Sequence, residues 1–264
     1  MRPKVSAPIS TPQSLPTLDA HAHFNPARKQ EELANSGAVL AVTLSLDEAA
    51  RVVERQEPLI AWGVGCHPRF PKSQESFQKE KFRELAMKTA IVGEIGLDTG
   101  SRVPLEVQLR TFRNALEVVS DLPRLVSIHS YRANRLVLKE LRRMPVAAPV
   151  LHWWTGTAEE TREAVDLGCY FSIHSAVARH SKFRTAVPPE RVLVESDHGW
   201  ADPPAAIPCR IGWVEHLVAQ QLGLEVKDVR SLVWRNLGTI VRKTGTGRLL
   251  PSRLVAIIKQ ASLS

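Results

Sequence analysis

Cysteine is scarce in this 264-residue chain. The three present, Cys66, Cys169 and Cys209, are odd in number, far apart and in no C-x-x-C pattern. A disulfide framework is therefore not expected, and the usage points to a reducing cytoplasm. Long apolar runs are missing as well. No stretch reaches the roughly 18 residues that a membrane-spanning helix needs. Arg2 and Lys4 are followed by no apolar h-region, which argues against a secretory signal. Acidic residues are outnumbered, 27 Asp and Glu against 35 Lys and Arg, for a formal charge of +8 and a pI near 9.7. That balance favours an anionic partner. The excess is concentrated: residues 225–264 hold eight Lys or Arg against Glu225 and Asp228, a local +6.

What is present reads as repeated β/α units. Short apolar, β-branched runs at 15–21, 38–44, 59–65, 90–95, 125–129, 149–152, 169–173 and 192–196 predict eight strands. Most lack polar alternation, as expected of parallel strands buried on both faces. Helical patterns lie between them. Pro104 opens one at its first turn, with Leu105, Leu109, Phe112 and Leu116 following at helical spacing. Thr157 and Glu160 form a capping-box pattern for another. Pro188-Pro189 forces a break before the eighth strand, and two helices near 208–222 and 227–243 are expected to follow it. A (β/α)8 barrel needs about 250 residues, so one domain fits. The predicted division is a flexible Pro-rich arm over 1–14, a TIM-like (β/α)8 barrel over 15–244, and a basic, helical C-terminal extension over 245–264.

Six residues of metal-ligand type sit at or just past predicted strand ends. They are His21 and His23 in Leu18-Asp-Ala-His-Ala-His-Phe24, Glu94 in Val92-Gly-Glu-Ile-Gly-Leu-Asp98, His129, His152 and Asp197. Imidazoles and carboxylates hold Zn²⁺, Mn²⁺ or Fe²⁺, and the C-terminal strand ends of a barrel converge on one catalytic face. Residues i and i+2 of a strand point to the same side, so His21 and His23 can reach one ion. Each residue alone has an ordinary explanation: a surface pair, a salt-bridged glutamate, a satisfied core histidine. Their arrival at separate strand ends is what argues for one site. Glu94 has two oxygens and can bridge two cations. Asp98 orients a ligand or starts a loop. His67, past the third strand, is a candidate donor to an anion.

These segments resemble the TatD family of metal-dependent deoxyribonucleases. The likeness rests on Asp19-x-His21-x-His23, Gly65-x-His67-Pro68, Gly93-Glu-Ile-Gly-Leu-Asp98, Ile128-His129-Ser130, Leu151-His152-x-x-x-Gly156 and Glu195-Ser-Asp197. It implies a TIM-like barrel, two divalent ions (Mg²⁺, Mn²⁺ or Zn²⁺) and phosphodiester hydrolysis, often exonucleolytic. It also implies His21, His23 and Asp197 around one ion, His129 and His152 around the other, Glu94 bridging, and His67 near the scissile phosphate. In that mechanism Glu94, Asp197 and His67 are catalytic, and Asp197 takes the proton of the attacking water. His67, Arg132 and Trp153 bind a DNA or nucleotide substrate. Trp153 and Trp154 both adjoin His152, where an indole can stack on a base. The helical face of Arg132, Arg135, Lys139 and Arg142 is a candidate strand guide.

The departures from the family lie outside the six ligand-type positions. Phe24-Asn25 stands for Leu-Asp, Tyr131 for Arg, Thr99-Gly100 for an aromatic pair, and His198-Gly199 for x-Pro. The Leu151-His-Trp-Trp-Thr-Gly156 and Gly168-Cys-Tyr-Phe-Ser172 segments are similar to the TatD-like proteins of Qat-type anti-phage defence systems, which implies defence-complex protein partners. Two other classes compete. One is a binuclear amidohydrolase or lactonase acting on a carbonyl; such sites often bridge with a carboxylated Lys where Glu94 stands. The other is a metal-stabilised, non-catalytic subunit of a defence complex.

Overall fold

The computed structural model describes residues 14–178, 187–199 and 211–263. Cys209, residues 1–13 of the predicted arm and the start of the helix expected from 208 lie outside the described residues. Eight parallel strands form: β1 (Leu18–His23), β2 (Ala38–Val42), β3 (Ile60–Trp62), β4 (Ile91–Gly96), β5 (Leu125–His129), β6 (Ala148–His152), β7 (Tyr170–Ile173) and β8 (Val192–Val194). Each overlaps one predicted run. Ladders join β1-β2-β3 and β4-β5-β6-β7-β8. Single bridges close the two seams, Val64 to Val92 and Ala22 to His198. Gly93 N–H donates to Val64 C=O (2.9 Å) and His23 N–H to His198 C=O (2.7 Å) across them. The result is a TIM-like (β/α)8 barrel.

The helices among the described residues are α1 (Gln30–Leu33), α2 (Leu46–Val52), α3 (Pro71–Glu75), α4 (Lys79–Ala86), α5 (Leu105–Asp121), α6 (Asn134–Arg143), α7 (Ala158–Asp166), α8 (Ser175–Ala178), α9 (Ile211–Leu222), α10 (Val226–Thr244) and α11 (Ser252–Ala261). Pro104 sits at the N-cap of α5, one position before the first-turn place expected of it. Thr157 caps α7 through a reciprocal box with Glu160. The strand residues are buried almost throughout, including the polar ones, because helices cover one face and barrel-filling side chains the other.

Two local features place the site. The β1-β2 register shifts between Asp19 and Ala22, and the β4-β5 register between Val92 and Ile95. Irregularities of this kind re-aim side chains, and here they flank His21 and Glu94. At the opposite end, α10 closes the barrel floor. Trp234 donates its indole N–H to the Pro16 carbonyl just before β1 (2.8 Å), and Asn236 donates to the Pro189 and Val192 carbonyls at the start of β8 (both 2.8 Å). α11 packs on α10. The basic C-terminal segment therefore meets the N-terminal ends of the strands, a barrel height away from His21, Glu94 and Asp197.

Candidate active site

Glu94 stands at the centre of the six predicted residues, and its two carboxylate oxygens face different partners. Oε2 lies 3.1 Å from His23 Nε2 and 3.4 Å from His21 Nε2. Oε1 lies 2.5 Å from His129 Nδ1 and 2.8 Å from His152 Nε2. Asp197 Oδ1 completes the first group, 3.6 Å from His21 Nε2 and 3.5 Å from His23 Nε2. His67 comes as close as these: its Nε2 is 3.4 Å from Glu94 Oε2, and its ring is only 1% exposed. Barrel convergence brings together seven side chains from six strand ends.

A second layer holds the imidazoles. His21 Nδ1 faces Ser127 Oγ (2.7 Å), His129 Nε2 faces Asp98 Oδ2 (3.1 Å), and His152 Nδ1 faces Glu195 Oε1 (3.4 Å). Asp19 accepts from the Ser196 N–H (3.0 Å) and hydroxyl, tying β1 to the strand end that carries Asp197. Asp98 thus orients His129 as well as accepting the Gly100 N–H (2.7 Å). Sequence reasoning gave Ser127 and Glu195 no role. A signal existed for Ser127, which lies two residues before His129 on β5 and so on the same face; Glu195 lies past the end of β8, where no strand period applies.

The donor set fits divalent cations. Ligand atoms about 2.0–2.2 Å from a tetrahedral ion lie about 3.3–3.6 Å from one another. The atoms around Glu94 Oε2 and Asp197 Oδ1 are spaced by 3.1–3.6 Å, with His21 Nε2 and His23 Nε2 3.3 Å apart. Both of those carboxylate oxygens are buried with no hydrogen-bond partner, a costly state unless a cation meets them. The Oε1 side is tighter, at hydrogen-bond spacing, but offers the same chemistry of two imidazoles and a carboxylate. His21 with His152 and Asp197, His21 with His23 and Glu94, and His67 with Glu94 and His129 each place three ligand atoms within 4.8 Å of one another.

Electrostatics follow from burial and crowding. Burial alone would raise Glu94, yet the surrounding imidazoles hold its carboxyl well below the usual range. Burial would lower His152 and His129; Glu94, with Glu195 for the first and Asp98 for the second, outweighs it and raises both. His21, fully buried and beside His152, is pushed down to about 4. Burial lifts Asp197 to about 7 against the pull of His152. The backbone is strained at the same place: Asp197 (φ 50°) and Trp153 (φ 42°) take the left-handed conformation, at a cost of about 1–3 kcal/mol each. Gly199 (φ +89°) explains one departure from the family pattern, since a Cβ there would lie 2.2 Å from the His23 carbonyl.

A cavity of about 340 Å³ opens over the cluster, and Arg69, Tyr131, Trp153 and Thr155 contribute to its lining. Arg69, which sequence reasoning passed over, extends its guanidinium to within 3.5 Å of Asp98 Oδ2. Arg132 does not line this cavity; it is exposed, in the left-handed region (φ 52°), with its guanidinium 5.3 Å from the Tyr131 ring centroid. The two tryptophans divide. Trp153 reaches the cavity, whereas Trp154 is buried and donates its indole N–H to Thr161 (2.8 Å), so it packs rather than stacks on a substrate. The guide face on α6 is largely engaged: Arg135 meets Glu160 (3.4 Å) and Arg142 pairs with Glu163, both on α7, which leaves Lys139.

Known proteins resemble this chain in sequence or in fold. The mouse (Mus musculus) protein TATDN3 is 25% identical over 252 residues, covering 83% of this chain and 86% of its own. The Escherichia coli K12 3'-5' ssDNA/RNA exonuclease TatD is 29% identical over 176 residues, covering 62% of this chain and 67% of its own. Among solved structures, the TatD homologue YjjV of Escherichia coli K12 superposes with a TM-score of 0.73 at 20% identity, over 85% of this chain and 97% of that one, a likeness of fold. The family described as TatD related DNase matches residues 18–242, most of the chain. On that match the chain belongs to the TatD-related DNase family of hydrolases.

Proposed function

We propose that this chain is a divalent-metal-dependent phosphodiesterase that trims single-stranded nucleic acid, DNA first, from an end. The observation that carries the reading is Glu94. One carboxylate turns its two oxygens toward two groups of ligand-type atoms, His21, His23 and Asp197 on one side and His129 and His152 on the other. That supports a two-cation site with Glu94 between the ions. The relative named as a 3'-5' ssDNA/RNA exonuclease supports the substrate class. Cations held by these residues would lower the pKa of an attacking water and neutralise charge building on the phosphoryl oxygens.

The chain's own residues do the rest. Asp197 Oδ1 is buried without a hydrogen-bond donor beside His21 and His23, which places its carboxylate to take the proton of an attacking water. Ser127, Asp98 and Glu195 fix the rings of His21, His129 and His152; such outer partners set ring orientation and ligand basicity. Arg69, on the cavity wall, is placed to meet a phosphate. His67, wedged between Glu94 and the His129 ring, reaches the same space.

The test is hydrolysis of a single strand labelled at its 5′ end, with a 3′-labelled strand in parallel, with Mg²⁺, with Mn²⁺ and with chelator. Cleavage that needs the metal and shortens the strand stepwise is expected; cleavage in chelator, or none on any nucleic acid, overturns the reading. Carbonyl esters belong in the same panel, because a carbonyl hydrolase would use the same ligands; β4 offers Glu94 and no lysine at the bridging place, which favours the phosphodiester. The defence setting rests on the Trp153-Trp154 and Gly168–Ser172 subgroup resemblance. Phage plating on cells expressing the chain or its Glu94→Gln variant tests it, and equal plating rejects it.

A further inference from the structure

Two aromatic side chains stand over the ligand cluster, and the core does not account for them. Trp153 directly follows His152 and is fixed in an unfavourable place. Its left-handed backbone (φ 42°) is a genuine outlier for a bulky residue. Its N–H donates to Glu195 Oε1 (2.7 Å), the same carboxylate oxygen that faces His152 Nδ1. Its ring stacks on His174 at 3.7 Å with the planes 25° apart. Backbone strain, a buried carboxylate and a stacked ring together hold one indole where it lines the cavity. Packing alone would be served by the buried Trp154 next to it.

Tyr131 comes from the neighbouring strand end, two residues after His129. It is 48% exposed, yet it lines the same cavity. The Arg132 guanidinium lies 5.3 Å from its ring centroid, and Gly100 leaves room for it: a Cβ there would come within 3.2 Å of Tyr131 Cε1. Both rings are therefore braced before any ligand arrives. Braced aromatics lose little entropy on stacking, and every nucleobase has a π-face to offer. Arg69 adds a cation to the same wall, beside ligand-type residues whose bound cations would attract an anionic phosphate.

We propose that Tyr131 and Trp153 form a clamp for a single unstacked nucleobase, with that nucleotide's phosphate lying between Arg69 and the Glu94 cluster. This rests on the nucleic-acid reading above and sharpens it. The ligand is a nucleotide unit with its base out of any stack, so single-stranded ends enter and paired ends do not. No base-edge reader is part of the clamp, so all four bases are accepted.

The test compares two small probes on the full chain with Ca²⁺ present: 2-aminopurine deoxyriboside 5′-monophosphate, and deoxyribose 5-phosphate, which lacks the base. The wild-type chain should bind the base-bearing probe more tightly and quench its fluorescence. Tyr131→Ala and Trp153→Ala should each weaken that probe roughly 5- to 150-fold, the range of one base–aromatic stack, and leave the base-free probe unchanged. Tyr131→Phe should restore affinity. Far-UV spectra check folding, and Tyr131, exposed at the rim, keeps the test alive if Trp153→Ala unfolds. Equal affinity for the two probes, or alanine variants that weaken both alike, overturns the clamp. The labelled-strand assay separates the two claims. Cleavage with equal probe affinities keeps the nuclease and removes the clamp; base-dependent quenching without cleavage of any strand keeps the clamp and removes the nuclease.

Discussion

The two ends of the barrel bury polar groups in opposite ways. On the floor, Trp234 and Asn236 spend their side-chain N–H groups on backbone carbonyls, and Glu215, fully buried, is held by Arg230, which also reaches the Leu15 carbonyl. Each of these four side chains has its partner within the fold. At the mouth, Glu94, Glu195 and Asp197 each keep one buried oxygen without a hydrogen bond, and Trp153 and Asp197 sit in strained backbone. Buried polar groups in native proteins are nearly always satisfied, so the exceptions call for a ligand. The floor uses its polar contacts for stability, and the mouth leaves buried carboxylate oxygens that could meet cations. Mutations at the two ends should accordingly separate into stability losses and activity losses.

The largest effect should come from Glu94→Gln. A neutral amide bridges two cations poorly, and loss of a preorganised charge at a reacting centre costs on the order of 10²–10³ in rate. Bound metal should fall with activity, while the far-UV spectrum stays intact. Near-normal turnover at limiting metal would break the contrast at its mouth end. The matching change on the floor is Arg230→Met. It leaves the Glu215 carboxylate buried without its cation and should cost on the order of 3 kcal/mol in denaturant unfolding. Metal content and turnover of the folded fraction should not move. If they do, the floor and the mouth are not independent.

Much of this contrast is legible in sequence, and the reasons for the rest are physical. Apolar strand runs mark all eight strands, because parallel barrel strands have no solvent side to blur the pattern. Residues at strand ends inherit their place from that pattern, so the Glu94 cluster is found together. Arg69 and Tyr131 are not, because loops beyond strand ends have no period to read. The division between Trp153 and Trp154 is also hidden: adjacent residues differ only through a backbone turn at φ 42°. Arg132 looks like the cavity cation in sequence, but the chain turns left-handed at that residue (φ 52°), and Arg69 lines the cavity. That α10 would cross the floor has no sequence signal; it depends on which side of the barrel the chain exits.

Proton competition gives a smaller effect confined to the mouth. Cations need Asp197 ionised and His129 and His152 unprotonated. Burial raises Asp197 to about 7, and Glu94, working against burial, raises both histidines. As pH falls through 7 Asp197 takes up a proton, and the two histidines hold theirs to higher pH than a free imidazole, so protons must leave before the ion binds. Apparent Mn²⁺ affinity should fall as pH falls, about tenfold per unit for each displaced proton. Calorimetric titration at pH 6, 7 and 8 in two buffers of different ionisation heat counts those protons. Constant affinity across that range would mean that the cluster does not take up the ion.

The smallest predicted effect concerns the surface between mouth and floor. By charge alone, Arg135, Lys139 and Arg142 on α6 are three phosphate contacts, and replacing all three with Gln should flatten the salt dependence of single-strand binding by about 2 units at about 0.7 per phosphate. Glu160 and Glu163 of α7 alter that expectation. A cation already facing a carboxylate gains little from a phosphate unless the first pair is broken, and an exposed pair is worth only about 0.2–1 kcal/mol. Arg135 and Arg142 should thus add little, and the log–log slope should change by about 0.7, from Lys139 alone. Glu160→Gln with Glu163→Gln should then free the two arginines and steepen the slope toward the three-contact value. A full 2-unit loss in the Gln triple variant would mean that the strand displaces both glutamates and runs along α6. No change in either variant would confine nucleic-acid contact to the cavity rim, where Arg69, Tyr131 and Trp153 stand.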